Sequence, residues 1–197
     1  MTTATGITRE RILEAAEAVF AEKGYHDAVI DDIGRATSMS KGGLYFHFPS
    51  KEALFFAVMD RLADRLVKKA EEAASNGSSP LVSAEAALEA VLAALSRRRR
   101  LARLLVVQGY SMGNAFERKR AQVFDRFAQV IKAQMDMAVE SEEIPPVDTV
   151  VAARVWLGAV NEVVVNWLYN GGPTPHEQAA VIKRLLVAGL VADRGGW

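Results

Sequence analysis

Apolar residues recur at spacings of three and four positions along most of this chain, which is the pattern of amphipathic helices rather than of strands. In the first such stretch, Ile12, Ala16 and Phe20 fall on one helical face, Thr8 can cap the start, and Gly24 can end the helix. The same pattern predicts nine helices, at about residues 8–23, 30–37, 41–47, 51–74, 82–97, 99–112, 114–141, 148–169 and 175–192. We therefore expect an all-α fold.

The clearest interruption of the helical pattern is the polar segment Ser-Asn-Gly-Ser-Ser-Pro at residues 75–80. We place a domain boundary at or just before it. The prediction is an N-terminal domain of residues 1–54, a connecting helix that runs to about residue 74, and a larger C-terminal domain of residues 75–197.

Composition favours a helical intracellular protein. Half of the 197 residues are hydrophobic, 24% are charged and prolines are few, so the chain can bury a core without disulfide or metal cross-links. Cysteine is absent, which excludes disulfides and thiolate zinc sites and favours a cytoplasmic location. The three histidines, His26, His47 and His176, are too scattered to predict a metal site, and we expect no cofactor.

Two further features bear on location and on partners. The N-terminus does not resemble a secretory leader, and polar residues interrupt the apolar run at 160–168, so we expect no membrane span. The formal net charge is zero, and the first 60 residues hold six basic against nine acidic side chains. Bulk charge therefore does not predict nucleic-acid binding. Any contact with DNA must come from a few cations on one edge.

Residues 30–47 nevertheless have the spacing of a helix-turn-helix, in which the second of two short helices lies in the major groove of DNA. That use requires one face to be buried and the other to present small or polar groups. We expect the buried face to consist of Ile33, Ala36, Met39 and Leu44. The residues left for the exposed face are Lys41, Gly42, Gly43, Tyr45 and His47.

The run Ser-Lys-Gly-Gly-Leu-Tyr-Phe-His-Phe-Pro-Ser-Lys-Glu-Ala-Leu at residues 40–54 resembles the recognition helix and following turn of TetR-type regulators. The segment Ile-Leu-Glu-Ala-Ala at 12–16, Phe20, the Lys-Gly-Tyr segment at 23–25 and Ile33 also fall where that family places its first two helices. The resemblance implies a homodimer that binds a palindromic operator in double-stranded DNA. It also implies a helical C-terminal domain that dimerises and encloses a pocket for a small-molecule effector.

The resemblance also assigns roles to single residues. Lys41, Tyr45, His47 and Lys51 match positions that commonly bond phosphates, and Gly43 matches one that faces the bases. Ser40, Gly42 and Phe46 complete the predicted DNA-contacting set. Each of the eight also has a structural interpretation, since aromatic rings often pack in cores and lysines near helix starts are usually solvated.

Two positions depart from the family pattern. Val29 stands where a Thr or Ser usually caps the second helix, and Ser38 stands where a turn glycine is usual. The lost cap costs about 1 kcal/mol. Asp31 and Asp32 are expected to offset part of that cost through the helix dipole.

In the C-terminal half, amides lie among apolar neighbours, as a mostly apolar ligand pocket with a few polar groups requires. The candidate pocket residues are Leu104, Val107, Gln108, Met112, Phe124, Phe127, Ile131, Trp156, Asn161 and Trp167. Any apolar member can equally be ordinary core. The two last long helices carry wide apolar surfaces that predict a four-helix dimer interface. Its candidate residues are Val160, Val164, Leu168, Ile182, Leu185 and Leu186.

The arginine cluster at 97–100, joined by Arg103, has two interpretations. Its charges can favour a helix C-terminus in solvent. Alternatively, they can bind the phosphates of an acidic effector such as an acyl-coenzyme A.

The resulting hypothesis is a repressor that a small, largely apolar ligand, such as a fatty acyl-CoA, releases from DNA. The alternatives are a helical carrier or an enzyme without DNA binding. No catalytic constellation or phosphate-binding glycine loop supports an enzyme, and neither alternative explains the run at 40–54.

Overall fold

The computed structural model describes residues 4–107 and 113–191, with side chains placed from 8 to 107 and from 113 to 190. All regular structure in these ranges is helical, as predicted. The helices are α1 (Ala4–Asp27), α2 (Ile30–Thr37), α3 (Lys41–His47), α4 (Lys51–Ala74), α5 (Pro80–Arg97), α6 (Arg99–Val106), α7 (Asn114–Glu140), α8 (Thr149–Asn170) and α9 (Ala179–Val191).

The first helix starts earlier than its pattern predicted. It begins at Ala4, so Thr8 lies one turn inside and does not cap it. Gly24 does end the regular helical path, because its φ of 81° breaks α1 before the last turn. Phe20, beside this break, packs edge-on against Phe55 of α4 with ring centroids 5.2 Å apart. This contact fixes the end of α1 against the start of α4.

The breaker segment at 75–80 forms a turn between two closely packed helices. Ser79 caps α5 by accepting a hydrogen bond from the backbone N–H of Val82 at 3.4 Å. The carboxylate of Glu143, in the segment between α7 and α8, accepts hydrogen bonds from the Ser79 hydroxyl at 2.5 Å and the Leu81 N–H at 3.0 Å. Helices α4 and α5 share the most extensive packing among the described helices. The segment therefore ends α4 and turns the chain back into α5.

The last helix starts later than predicted, at Ala179 instead of Pro175. Thr174 and Glu177 explain the delay, because the Glu177 carboxylate accepts hydrogen bonds from both the backbone N–H and the hydroxyl of Thr174. These bonds lower the pKa of Glu177. They hold residues 174–178 in a turn that competes with the first helical turn.

The N-terminal helices and the C-terminal half share one core. A single cluster of buried apolar side chains runs from Ile12 of α1 through Phe55 of α4 and Leu92 of α5 to Leu168 of α8 and Ile182 of α9. The short helix α6 lies in the middle, in contact with α1, α4 and α8. A displacement of α6 or α4 therefore acts directly on α1.

Helix α8 is apolar enough and long enough to cross a membrane by composition alone. A single helix of this kind is weak support for a span, since core helices of globular proteins pass the same test. Only 22% of its apolar stretch is buried in the protomer. Much of its apolar surface is thus not covered within the protomer.

Candidate nucleic-acid interface

Helix α2 is capped by an acid in its first turn. Its N-cap, Val29, has no side-chain acceptor, but the carboxylate of Asp32 accepts a hydrogen bond from the Val29 N–H at 3.4 Å. Asp32 is buried and also forms ion pairs with Lys23, at 2.7 Å, and with Arg35. The Lys23 hydrogen bond is the main cause that lowers the pKa of Asp32. Asp32 therefore supplies the side-chain acceptor of a capping box, while the acceptor that an N-cap Ser or Thr would add is missing. This hydrogen bond is a more specific role than the expected interaction with the helix dipole.

The turn between α2 and α3 depends on a close backbone approach at Gly34. The Met39 N–H donates to the Gly34 carbonyl at 2.9 Å, and a Cβ added to Gly34 would lie 2.8 Å from the Met39 carbonyl oxygen. Ser38 adopts the left-handed conformation, with φ of 57°, at the position where the family pattern has glycine. The turn geometry is thus kept although a serine occupies this position.

Helix α3 is anchored along one side. The Ser40 hydroxyl oxygen accepts a hydrogen bond from the Gly43 N–H at 3.2 Å and so caps the helix. Leu44 is 2% exposed and packs into the same core as Ile33 of α2. Met39 is half-buried, but Ala36 is exposed, so its predicted place on the buried face is wrong. Ala36 lies on the outer side of α2, where the short helix faces away from the core.

The opposite side of α3 is open. Lys41 and Gly42 are exposed, as are Tyr45 at 39% and Phe46 at 82%. A Cβ added to Gly42 would meet nothing within 4 Å, so packing in the protomer does not require a glycine there. Gly43 and His47 are half-buried, and the His47 ring meets the Phe46 ring edge-on at 5.3 Å. The exposed side of α3 thus presents two aromatic rings, those of Tyr45 and Phe46, to solvent.

Lys51 lies at the edge of this surface and is held in place by α1. Its Nζ donates to the His26 carbonyl at 3.0 Å and lies 4.6 Å from the centroid of the Tyr25 ring. Desolvation lowers the pKa of Lys51. Because an ammonium group has three donors, two remain for an anion beside α3.

The acidic excess of the N-terminal segment is largely neutralised at the contact between α1 and α4. Arg61 pairs with Glu10 at 2.8 Å and with Glu14 at 3.1 Å, and Arg65 pairs with Glu17 at 3.0 Å. Beside α3 the balance is different. The Arg9 guanidinium lies 4.7 Å from the centroid of the Phe48 ring, at the end of α3. Within the described ranges, neither Arg9 nor Lys41 pairs with a carboxylate. In the described part of the chain, Arg9 near the end of α3 and Lys41 at its start are thus cations that no carboxylate neutralises.

Comparisons with known proteins decide the family. Residues 12–58 match the family model for bacterial regulatory proteins of the tetR family. The HTH-type transcriptional regulator TtgW of Pseudomonas putida is 30% identical over 131 residues, which cover 64% of this chain and 92% of TtgW. The chain belongs to the TetR family. The HTH-type transcriptional regulator SrpR, also of Pseudomonas putida, is 28% identical over 182 residues, 89% of this chain and 80% of SrpR. This TetR-family chain is therefore a DNA-binding transcriptional regulator.

The fold of the regulator also matches solved structures. FadR from Bacillus subtilis, solved in complex with stearoyl-CoA, superposes with a TM-score of 0.83 over 92% of this chain and 98% of FadR. The two sequences are 19% identical. The likeness at this identity establishes a common fold with an N-terminal helix-turn-helix and a helical C-terminal domain.

The structure does not gather the predicted pocket residues around one cavity. Phe124, Phe127 and Asn161 line a central cavity of about 50 Å³, too small for an organic ligand of ordinary size. The others are distributed between two parts of the core: Leu104, Val107 and Trp167 belong to the main cluster, and Ile131 and Trp156 to a second one. Gln108 and Met112 lie outside the described residues.

Two cavities of ligand size are lined by other residues. One, of about 830 Å³, lies between the end of α4, the start of α5 and α7. The other, of about 730 Å³, lies between α4, α5 and α6 and is hereafter the α4–α6 groove. The predicted pocket residues include none of their lining, because much of it consists of alanines and of polar or charged side chains. The periodic pattern assigns such residues to ordinary helix surfaces.

The predicted dimer residues divide by burial. Val160, Val164, Leu168 and Ile182 are buried in the core of their own protomer, so they are not available to a partner. Leu186 is half-buried and Leu185 is 65% exposed. The exposed apolar residues of α8 and α9 include Val151, Val155, Val181 and Leu185. Because both faces of α8 are apolar, periodicity does not reveal which face is buried within the protomer.

The arginine cluster has two structural roles. Arg103 donates to the Leu168 carbonyl at 2.6 Å, and Arg99 donates to the carbonyls of Trp167 and Leu168 at 3.2 and 3.1 Å. These two residues neutralise the C-terminus of α8, a helix far away in sequence. Arg97 and Arg98, in contrast, line the α4–α6 groove.

Proposed function

We propose that this regulator is a repressor that binds a palindromic operator as a homodimer and leaves it when a small amphipathic ligand binds the C-terminal half. The observation that carries the proposal is the exposed side of α3. It holds an open glycine, two exposed aromatic rings and Lys41, which pairs with no carboxylate in the described ranges, and the opposite side of the helix is anchored. A helix of this kind fits a major groove.

In the proposed complex, contacts to phosphates fix the register and contacts to bases specify the sequence. We assign phosphate contacts to Lys41, Tyr45, His47 and Lys51. Ser40 caps the helix, and Gly42 and Gly43 let its backbone approach the bases. Phe46 is proposed to contact the methyl group of a thymine, the apolar group that the major groove presents.

The proposed dimer uses the exposed faces of α8 and α9. Val155 and Leu185 are examples of its apolar residues, and a Cβ added to Gly158 would meet nothing within 4 Å, so a partner helix can approach closely there. The two copies of α3 must then lie about 34 to 36 Å apart to enter successive major grooves. We propose the domain division given by the sequence, with residues 1–54 reading DNA, the rest of α4 connecting, and residues 75–197 binding ligand and partner. The regulator is proposed to act in the cytoplasm.

Support for an acyl-CoA effector comes from FadR, which shares this fold and was solved with stearoyl-CoA. Ligand binding is proposed to favour a dimer in which the two α3 helices are wrongly spaced for DNA. The alternatives, a helical carrier or an enzyme, have less support, because the relatives of this chain are transcription regulators.

The experiment is to select bound fragments of the source genome and to measure their affinity by mobility shift. Tyr45→Ala and Lys41→Ala should each weaken binding about tenfold or more. Lys68→Ala, which removes an exposed lysine of α4, is the matched control and should have little effect. A repressor lowers transcription from the selected site in vitro, and a rise would identify an activator. Equal binding by all three variants would refute the proposed role of α3.

A further inference from the structure

The α4–α6 groove combines an apolar floor with a basic rim. Its floor includes Leu62 and Leu105, which are buried, and its rim carries Lys69, Arg97 and Arg98, which are exposed. In the described ranges none of these three cations pairs with a carboxylate. Glu72 is an acid on the same rim. The groove thus has a positive excess above a hydrocarbon surface.

The groove is also adjacent to the central cavity. Leu66, Leu95 and Leu105 line both the groove of about 730 Å³ and the cavity of about 50 Å³. Three side chains therefore form the wall between the basic rim and the middle of the core. A ligand tail that passes from the groove into the central cavity must displace these leucines, and rotamer changes of this kind are common when a partner binds.

We propose that the α4–α6 groove is the effector site and that it binds a molecule with an anionic head and a single alkyl tail. The inference rests on the proposed function and names the ligand class. Arg97, Arg98 and Lys69 bind the head, and the tail lies on the leucines and points toward Phe127 in the central cavity. A carboxylate and a phosphate ester have the same charge complementarity to this rim. The experiment therefore tests a free carboxylate and a phosphate ester as alternative head groups.

The groove contains its own connection to the DNA-binding helices. Arg65 lines the groove, and its guanidinium also bonds both carboxylate oxygens of Glu17 in α1, at 3.0 and 3.2 Å. An anion in the groove competes with Glu17 for this guanidinium. In addition, α6 forms one wall of the groove and packs against α1. A ligand between α4 and α6 thus acts on the helix that supports α3.

The test is a calorimetric titration of the full-length protein with four probes below their micelle concentrations. Laurate and lauroyl-CoA carry an anionic head and a tail, dodecyl maltoside carries a neutral head, and coenzyme A carries no tail. We expect one or both tailed anions to bind at least about tenfold more tightly than the other two probes. Binding of laurate alone identifies a free carboxylate as the source, and binding of lauroyl-CoA alone identifies a phosphate ester.

Variants test the position of the site. The double variant Arg97→Gln, Arg98→Gln should weaken binding of the tailed anion about tenfold or more, whereas Arg100→Gln, a neighbouring exposed arginine outside the groove, should change it less than about twofold. Ala94→Trp fills the half-buried groove wall and should block the tail. Equal binding by the double variant and the Arg100 control, or equal binding of dodecyl maltoside, would overturn the proposal. None of these residues is fully buried, and a thermal melt confirms that each variant folds.

Operator binding provides the separate measurement for the proposed function. A tailed anion that binds the groove and leaves operator affinity unchanged would reject the effector role but keep the site. A wild-type protein that binds no operator would reject the proposed function, whatever the titration gives.

Discussion

Arg65 of α4 forms a two-point ion pair with Glu17 of α1, its two terminal nitrogens lying 3.2 and 3.0 Å from the two carboxylate oxygens. Arg61, one turn earlier, adds Glu10 and Glu14 to the same network. On another face of α4, Asp60 pairs with Lys119 and Asp64 with Arg126 of α7. Helix α4 thus forms ion pairs with α1 on one face and with α7 on another, within the same two turns.

Glu17→Gln should lower the free energy of unfolding by about 1 to 2 kcal/mol, because Glu17 is 13% exposed and its loss leaves two arginines without their shared partner. Glu10→Gln is the matched control. Since Glu10 is 56% exposed, its change should cost less than about 0.5 kcal/mol. Urea unfolding followed by circular dichroism measures both. Equal costs would contradict the role given to the two-point pair.

Gly34→Ala and Gly42→Ala should have opposite effects on stability. The added methyl at Gly34 would lie 2.8 Å from a backbone carbonyl, so the turn must shift and the protein loses about 1 kcal/mol or more. The methyl at Gly42 meets nothing and removes backbone freedom in a helix, so the protein gains up to about 1 kcal/mol. Thermal melts of the two variants decide the point, and a stabilised Gly34 variant would contradict the close approach.

Phe46→Ala should weaken operator binding about tenfold and leave the melting temperature unchanged, because the ring is 82% exposed in the free protein. Mobility shift and a thermal melt measure the two effects. Val82→Ala, at an exposed apolar site on α5, is the control and should alter neither. A drop in melting temperature for the Phe46 variant would indicate that the ring packs within the protein.

Acid should destabilise the fold through Asp32. Its pKa lies below the ordinary value of 3.8, mainly because Lys23 hydrogen-bonds its carboxylate. A carboxyl with a lowered pKa in the folded state contributes stability above its unfolded pKa and loses it as the pH falls through the folded value. We expect Asp32→Asn to be less stable than wild type at pH 7 and to lose less stability on acidification. Urea midpoints at pH 7 and at pH about 3 measure this. Parallel losses would contradict it.

Val155→Arg and Leu185→Arg should each shift the protein from dimer to monomer. Both side chains are exposed and apolar on the proposed interface, and an arginine there leaves a charge without a partner when two copies meet. Val82→Arg places the same change on α5, away from the interface. Sedimentation at fixed concentration distinguishes the outcomes, and a stable dimer in both interface variants would move the interface elsewhere.

The helices were more predictable from the sequence than the sites were. Ser40 and Ser50 both cap their helices with the expected hydrogen bonds, so α3 and α4 begin where the sequence indicated. The start of α1 was missed because Thr8 has a capping side chain but lies inside a longer helix. The start of α9 was missed because the Thr174–Glu177 turn uses side-chain bonds that no periodicity reveals.

The arginine cluster illustrates why a site is harder to predict. Its four consecutive members are equivalent in the sequence. Only the packing of α6 against α8 separates Arg99, which bonds the end of α8, from Arg98, which lines the groove. Likewise, the faces of α8 differ little in hydrophobicity. The packing of α6 and α7 against α8 decides that Val164 is inside and Val155 outside.

The buried cluster that extends from Ile12 to Ile182 also limits how this protein can be cut and recombined. Leu54 and Phe55 complete the packing of the first three helices, yet they belong to a helix whose next turns are covered by α5 and α6. Residues 1–54 alone would leave that packing open to water. Residues 1–54 therefore cannot be transferred alone to another protein. A chimera that joins them to a different dimerisation domain must also carry α4 and surfaces that replace α5 and α6.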